Sequence, residues 1–288
     1  MIPYVCKMEY TDRTVRIALI DMYEGVENQG MRCLTEIINQ WADYNNYNHT
    51  LDIFEVRIKQ EIPDFSYDFY ISTGGPGSPI DSKGKEWENK FFNFINKLEH
   101  WNAHYDNYPK KHILFICHSF QLACRYFNVA EVNARKSTSF GVFPIHMIDG
   151  AESEQIFKGL TNPFYVVDSR DYQVVKPKHK LIKEMGGAIL AIEKERTHVP
   201  LERAVMAIRF NEYCIGTQFH PEADAQGMSM YLQRADKKET VIKNHGEAKW
   251  ESMLEQLGDP NKILFTYNHI VPNFLNHAMG TLIVAGDI

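Results

Sequence analysis

The run His-Ile-Leu-Phe-Ile-Cys at residues 112–117 passes directly into HSFQLACRYF at 118–127, with no linker between them. The first stretch is apolar and strand-like, and the second has helical spacing. A strand that turns at once into a helix belongs to folds in which helices cover a sheet. The preceding residues repeat the alternation. Residues 16–23 (RIALIDMY) read as a strand and 26–43 as a helix carrying Val26, Met31, Leu34, Ile37, Ile38 and Trp41. Residues 51–57 and 67–72 read as strands, and 84–100 as a helix with Trp87, Phe91, Phe92, Phe94, Ile95 and Leu98 on its apolar side. Short loops between such elements predict an α/β fold: an open, mostly parallel sheet with helices on both faces. Sheets of this kind hold ligands outside the carboxyl ends of their strands.

The second half changes character. Residues 140–148, 164–168, 188–193, 204–210 and 213–219 are short strand-like runs, which predict a more antiparallel section closing the sheet. Helical patterns return at 224–234, 239–257 and 262–279. The expected organisation is a main domain over 1–236 and a helical C-terminal extension over 237–288 that packs on the core. Trp250, Met253, Leu254 and Leu257 form one stripe of that extension, and Ile263, Leu264, Phe265, Ile270, Val271, Phe274 and Leu275 a richer one, with Pro272 expected to kink or divide the helix.

The formal net charge of −6, without a long basic run, argues against a nucleic-acid or anionic-membrane surface. No apolar run approaches the ~20 residues of a membrane span. The N-terminal residues carry acids and an arginine where a signal peptide needs apolar ones. Cys6, Cys33, Cys117, Cys124 and Cys214 are odd in number and contain no CxxC pair, so neither a disulfide framework nor a structural zinc site is expected. A reducing cytoplasm is the simplest expectation, and no cofactor is expected.

Three segments carry chemistry. Cys117 stands at the strand–helix corner, where a nucleophile is lifted clear of a sheet and the helix N-terminus favours a thiolate. In Gly216-Thr217-Gln218-Phe219-His220-Pro221-Glu222, the imidazole has the chemistry of a base and acid, and a carboxylate two residues on faces the same side of an extended segment. Ser72-Thr73-Gly74-Gly75-Pro76-Gly77-Ser78-Pro79 follows a strand and lets backbone N–H groups approach a developing oxyanion. It lacks the lysine and hydroxyl of a GxxxxGK[ST] phosphate loop.

Together, in this order and spacing, GGPGSP, ICHSFQ and QFHPE resemble the class I, triad-type glutamine amidotransferases over roughly residues 14–236, and are closely similar to the glutaminase portion of GMP synthetase. The resemblance implies Cys117 as nucleophile, His220 as base and Glu222 as orienter. It implies oxyanion donors at the Gly75 and His118 backbone N–H groups, and glutamine contacts at Gly77, Gln121, Ser169 and Tyr172. The last two lie in Ser169-Arg170-Asp171-Tyr172-Gln173-Val174, similar to the family's SHxDxV segment, whose backbone grips the α-amino and carboxylate end of glutamine. Ser169 and Val174 match; Arg170 and Tyr172 do not. Arg170 has the chemistry to pair with a carboxylate. The elbow also departs from G-[IV]-C-x-G-x-Q, with Phe115 and Ser119 in place of two glycines, and this puts the shape of the pocket in question. The implied activity is hydrolysis of glutamine through a γ-glutamyl thioester. The chain has no SGGxDS nucleotide loop, so the ammonia acceptor or synthetase is expected on another polypeptide. The alternatives are a stand-alone γ-glutamyl hydrolase or peptidase, and a non-catalytic regulatory homologue.

Overall fold

The computed structural model describes residues 14–196, 200–257, 259 and 262–286. In chain order the elements are β1 (Val15–Asp21), α1 (Gly30–Asn45), β2 (His49–Glu55), β3 (Phe69–Ser72), α2 (Glu86–His104), β4 (His112–Ile116), α3 (His118–Tyr126), β5 (Glu131–Met147), β6 (Phe164–Val175), α4 (His179–Glu184), β7 (Ala188–Glu193), β8 (Val205–Arg209), β9 (Cys214–Thr217), α5 (Ala225–Gln233), α6 (Ala235–His245), α7 (Glu247–Leu257), α8 (Ile263–Tyr267) and α9 (Ile270–Gly286).

The strands form one nine-stranded open sheet in the order β2-β1-β3-β4-β9-β8-β7-β5-β6. The first five run parallel and the last four join antiparallel, so the sheet is mixed. The alternation of side chains explains why its parallel part is buried twice over. Ile17 and Leu19 of β1 and Leu114 and Ile116 of β4 point into one core with α1 and α9. Ala18, Ile20, Ile113 and Phe115 point into another with α2 and α3. A third, smaller core joins Val142 and Val167 on the antiparallel hairpin to Met228, Leu232, Val241, Met253 and Leu257 of α5–α7.

Helix α1 starts at Gly30, four residues after the Val26 at which the spacing had placed its start, and Val26 stands exposed in the loop that follows β1. Strands β5 and β6 run much further than the short apolar runs within them, because they pair with each other along most of their length around a bulge between Ala134 and Ser139. The expected 239–257 helix is two helices parted at Gly246, whose φ of 84° is easy only for glycine. The 262–279 helix divides at residues 268–269, and Pro272 sits in the first turn of α9, where no N–H is needed. α8 and α9 close the first core, with Ile270, Val271, Phe274, Leu275 and Leu282 all buried there. Among the described residues no helix is long and apolar enough to cross a membrane.

Candidate active site

Cys117 caps α3 with φ 50° and ψ −98°, a conformation that side chains avoid. Strain of this kind persists only where surrounding contacts enforce it. Here the Cys117 N–H donates to the Thr217 carbonyl at 2.7 Å, and the Cys117 carbonyl accepts from Gln121 N at 3.0 Å. Ser119, one of the two departures from the elbow pattern, supplies further restraint. Its hydroxyl donates to the Ser72 carbonyl at 2.7 Å and accepts from Ile116 N at 2.9 Å, tying the elbow to the end of β3. Phe115, the other departure, turns away from the thiol into the second core, edge-on to Phe91 and Phe210. Its partner across β9 is Gly216, where a Cβ would stand 3.2 Å from that of Phe115. The missing glycine on one strand is therefore accommodated by a glycine on the next.

His220 follows β9 and is pinned by its N–H to the Val167 carbonyl of β6 at 2.9 Å. Its Nδ1 lies 2.8 Å from Glu222 Oε1, and its Cε1 and the Cys117 Cβ both face Gly74, while the Cys117 thiol donates to the Ser169 carbonyl at 3.8 Å. Burial works against the charged ring, yet Glu222 and Cys117 together hold its pKa well above the usual histidine value. Glu222 is buried, with Oε2 unpartnered. The His118 ring is different. Burial, then Arg57 and Arg125, push its pKa down to about 3, so it is neutral and no competing base.

The Gly-rich loop closes the opposite side. Thr73 Oγ1 accepts from Met22 N at 3.0 Å and donates to the Gly74 carbonyl at 2.9 Å. Gly74 faces the imidazole, and Gly75 backs onto the Met22 carbonyl so closely that no Cβ fits. Gly77 takes φ 83°. Arg57 donates to the Pro76 carbonyl at 2.6 Å and holds the loop from outside.

A cavity of about 310 Å³ opens beside the thiol, and Gly75, Gly77, Cys117, His118, Gln121, Ser169 and Tyr172 all line it. Every expected oxyanion and substrate residue thus meets in one place, with His220 and Glu222 behind Cys117. Arg170 also lines this cavity, but its guanidinium is bound to carboxylates of the protein. Its Nε binds Asp168 at 2.8 and 3.0 Å and its Nη2 binds Glu193 at 3.2 Å, welding β6 to β7 behind the cavity wall. The carboxylates it pairs with are the protein's own. Asp171, beside it, faces the cavity and accepts from Thr138 Oγ1 at 2.5 Å.

Two further residues belong to the site and were not singled out from sequence. Gln218 Nε2 donates to Cys117 Sγ at 3.8 Å, while its Oε1 accepts from Gln121 Nε2 at 3.1 Å. The Tyr23 ring meets Gly30 together with Glu222. Gln218 was in view as part of QFHPE, but a buried amide carries no signal until its partners are known; Tyr23 carries none. Among the described residues Cys33, Cys117, Cys124 and Cys214 are free thiols, and no three His, Cys, Asp or Glu groups could hold a metal ion; Cys6 lies outside the described residues.

A strained cysteine at a strand–helix corner, an imidazole bound to a carboxylate and a glycine loop thus come together in an α/β protein. The model of the family "Glutamine amidotransferase class-I" matches residues 18–238, and the chain belongs to that family. No curated protein matches the sequence. Among solved structures, a glutamine amidotransferase from Thermotoga maritima aligns with TM-score 0.65 and 15% identity, covering 92% of this chain and 98% of that one. A glutamine amido transferase from Methylobacillus flagellatus gives 0.59 and 13%, covering 94% of each. The glutaminase domain of Trypanosoma brucei CTPS, solved with bound acivicin, gives 0.56 and 14%, covering 93% and 94%. At these identities the likeness establishes the fold.

Proposed function

We propose that this protein hydrolyses the side-chain amide of glutamine through a cysteinyl thioester and delivers the ammonia to an acceptor held by another chain. The observation that carries this reading is the bonded pair Glu222–His220 set beside Cys117, which lines a cavity of about 310 Å³. His220, whose charged form Glu222 favours, takes the proton of the Cys117 thiol. The Cys117 sulfur attacks the amide carbon. The carbonyl oxygen takes the negative charge, and the Gly75 and His118 backbone N–H groups are assigned to receive it. The imidazolium gives its proton to the departing nitrogen, and ammonia leaves. A water molecule, deprotonated by the now neutral His220, attacks the thioester, and glutamate is released as the thiol re-forms. Gly77, Gln121, Ser169 and Tyr172 are assigned to hold the substrate. The family's usual association with a separate synthetase or acceptor domain supports the partner.

Ammonia release from L-glutamine by the purified protein tests the reading. Cys117→Ala and Cys117→Ser are expected to abolish it while leaving the thermal unfolding midpoint within a few degrees. Turnover by either variant close to that of the unmutated protein would remove Cys117 from the reaction.

A further inference from the structure

The cavity beside Cys117 has walls of two origins. The sheet and its loops supply the thiol side and the Ser169–Tyr172 side. Phe140 of β5, Tyr231 of α5 and Val241 of α6 complete the lining. Val241 lies beyond the stretch that matches the family model, which ends at residue 238. α6 (ADKKETVIKNH) is a polar helix, and Val241, 4% exposed, is the one buried side chain among those described in it. That side chain both lines the cavity and joins the third core with Val142, Val167, Met228 and Leu232, so α6 ties the cavity wall to the core of α5–α7.

Its placement is well supported. Extended Arg234 (φ −62°, ψ 130°) separates α6 from α5, and Gly246 separates it from α7. Lys238 Nζ stands 4.0 Å over the Trp250 ring of α7, and Trp250 Nε1 donates to the Leu232 carbonyl of α5 at 3.4 Å. The Tyr231 ring rests on Phe140 at 5.2 Å between centroids. The three helices thus form a braced cap, of which α5 and α6 reach the cavity wall. On the functional reading above, the α-end of the substrate is assigned to the Ser169–Tyr172 side of the cavity, which Thr138, Asp171, Tyr231 and Val241 also line.

We propose that Tyr231 and Val241 set substrate specificity by closing the cavity behind the α-end, so that the protein takes glutamine as a free amino acid and rejects glutamine extended through its α-amino or α-carboxyl group. This rests on the functional reading above. The cap also explains the cavity's size, about 310 Å³, at the small end of what ligand pockets offer.

The test compares L-glutamine, Nα-acetyl-L-glutamine and glycyl-L-glutamine with the full-length protein, reading both ammonia release and protection of Cys117 from iodoacetamide. The unmutated protein should favour glutamine over either blocked compound by about 100-fold in kcat/KM, within what a snug pocket discriminates. Val241→Ala should narrow that ratio about tenfold, through KM for the blocked compounds and not through kcat for glutamine. Val241→Met, which fills the wall instead, should raise KM for glutamine about tenfold and leave the alkylation rate of the free enzyme unchanged. Equal use of free and blocked glutamine, or an unaltered ratio and KM in both variants, overturns the proposal. If no amide is hydrolysed, the functional reading fails but the cap is still judged by protection. Glutamine should then shield Cys117 where the acetyl derivative does not, with the difference reduced in Val241→Ala. Equal shielding, or none, counts against it.

Discussion

A Cβ placed on Gly74 would stand 2.8 Å from His220 Cε1 and 3.5 Å from the Cys117 Cβ. The residue has no positive φ, so alanine meets no backbone penalty there. What an added methyl does is push the imidazole from the thiol. Misplacement of a catalytic group by about an ångström costs on the order of 100-fold. Gly74→Ala is therefore expected to lower kcat for glutamine hydrolysis about 100-fold, with little change in KM and with the unfolding midpoint retained. Steady-state kinetics beside a thermal melt decide it, and an unchanged kcat would take His220 out of the reaction. This glycine also marks how far the site was legible. Cys117, His220 and Glu222 stand out by residue chemistry, but their roles are implied only by the resemblance that the order and spacing of GGPGSP, ICHSFQ and QFHPE carry. The GGPG turn could be named only as a flexible approach to the substrate, because which glycine faces the imidazole and which backs onto Met22 depends on how β1, β3 and β9 are placed beside one another. Gln218, which donates to the thiol, was hidden for the same reason.

At the level of elements, hydrophobic periodicity located the parallel strands and α2 and α3 closely, because their burial on both faces leaves long apolar runs. It failed where burial is partial. The outer half of β6 pairs with β5 yet exposes Asp171, so its alternation is broken by charge, and the strand-like run legible in the sequence stops at residue 168 where the strand continues to Val175. α4 is six residues long and buries only Ile182, too little for a stripe. Nor did sequence show that α9 is tied to the first residue of β4. His112 Nε2 lies 2.8 Å from Thr281 Oγ1, and the His112 ring meets His277 edge-on at 5.4 Å between centroids. Burial first, then the neighbouring His277, pushes the His112 pKa from 6.5 down to about 3. In the unfolded chain this histidine takes up a proton near pH 6.5, whereas in the folded chain it does so only near 3. Its contribution is thus whole above about pH 6.5 and is lost as the pH falls toward 3. From pH 7.5 to 5.0, urea unfolding of the parent protein should lose about 2 kcal/mol through this group alone. His112→Gln keeps a hydrogen-bonding side chain for Thr281 and should flatten that fall by about as much. Identical pH dependence in parent and variant would mean that His112 is already protonated in the fold.

For the whole molecule, the family match ends at residue 238 while the core continues to α9. Ile270, Val271, Phe274, Leu275, Met279 and Leu282 are each no more than 3% exposed, in the core that also holds Leu34, Ile38 and Trp41 of α1 and Ile17, Phe69 and Leu114 of the sheet. The Trp41 indole donates to Asn276 Oδ1 at 2.8 Å, so α1 and α9 are joined by a polar contact as well. Burying side chains of these kinds is worth about 1.5–3 kcal/mol each, or about 9–18 kcal/mol for the six as an upper estimate. Domains of ordinary stability hold only about 5–15 kcal/mol in all. Removing α8 and α9 would therefore take away as much as the fold has to spare, and would bare an apolar face of the kind that drives aggregation. The α5–α7 cap sits on its own smaller core, and its loss should be felt at the Cys117 cavity more than in the body of the protein. Two truncations separate these roles. A chain ending at residue 261 is expected to be insoluble or to melt without cooperativity. A chain that instead replaces residues 235–257 with a short flexible linker should keep a cooperative melt while losing its preference for free glutamine. Gel filtration and circular dichroism on both decide the matter. A soluble, monomeric chain ending at residue 261, with its unfolding midpoint within a few degrees of the parent, would show that α9 is an ornament on a core already complete at residue 238.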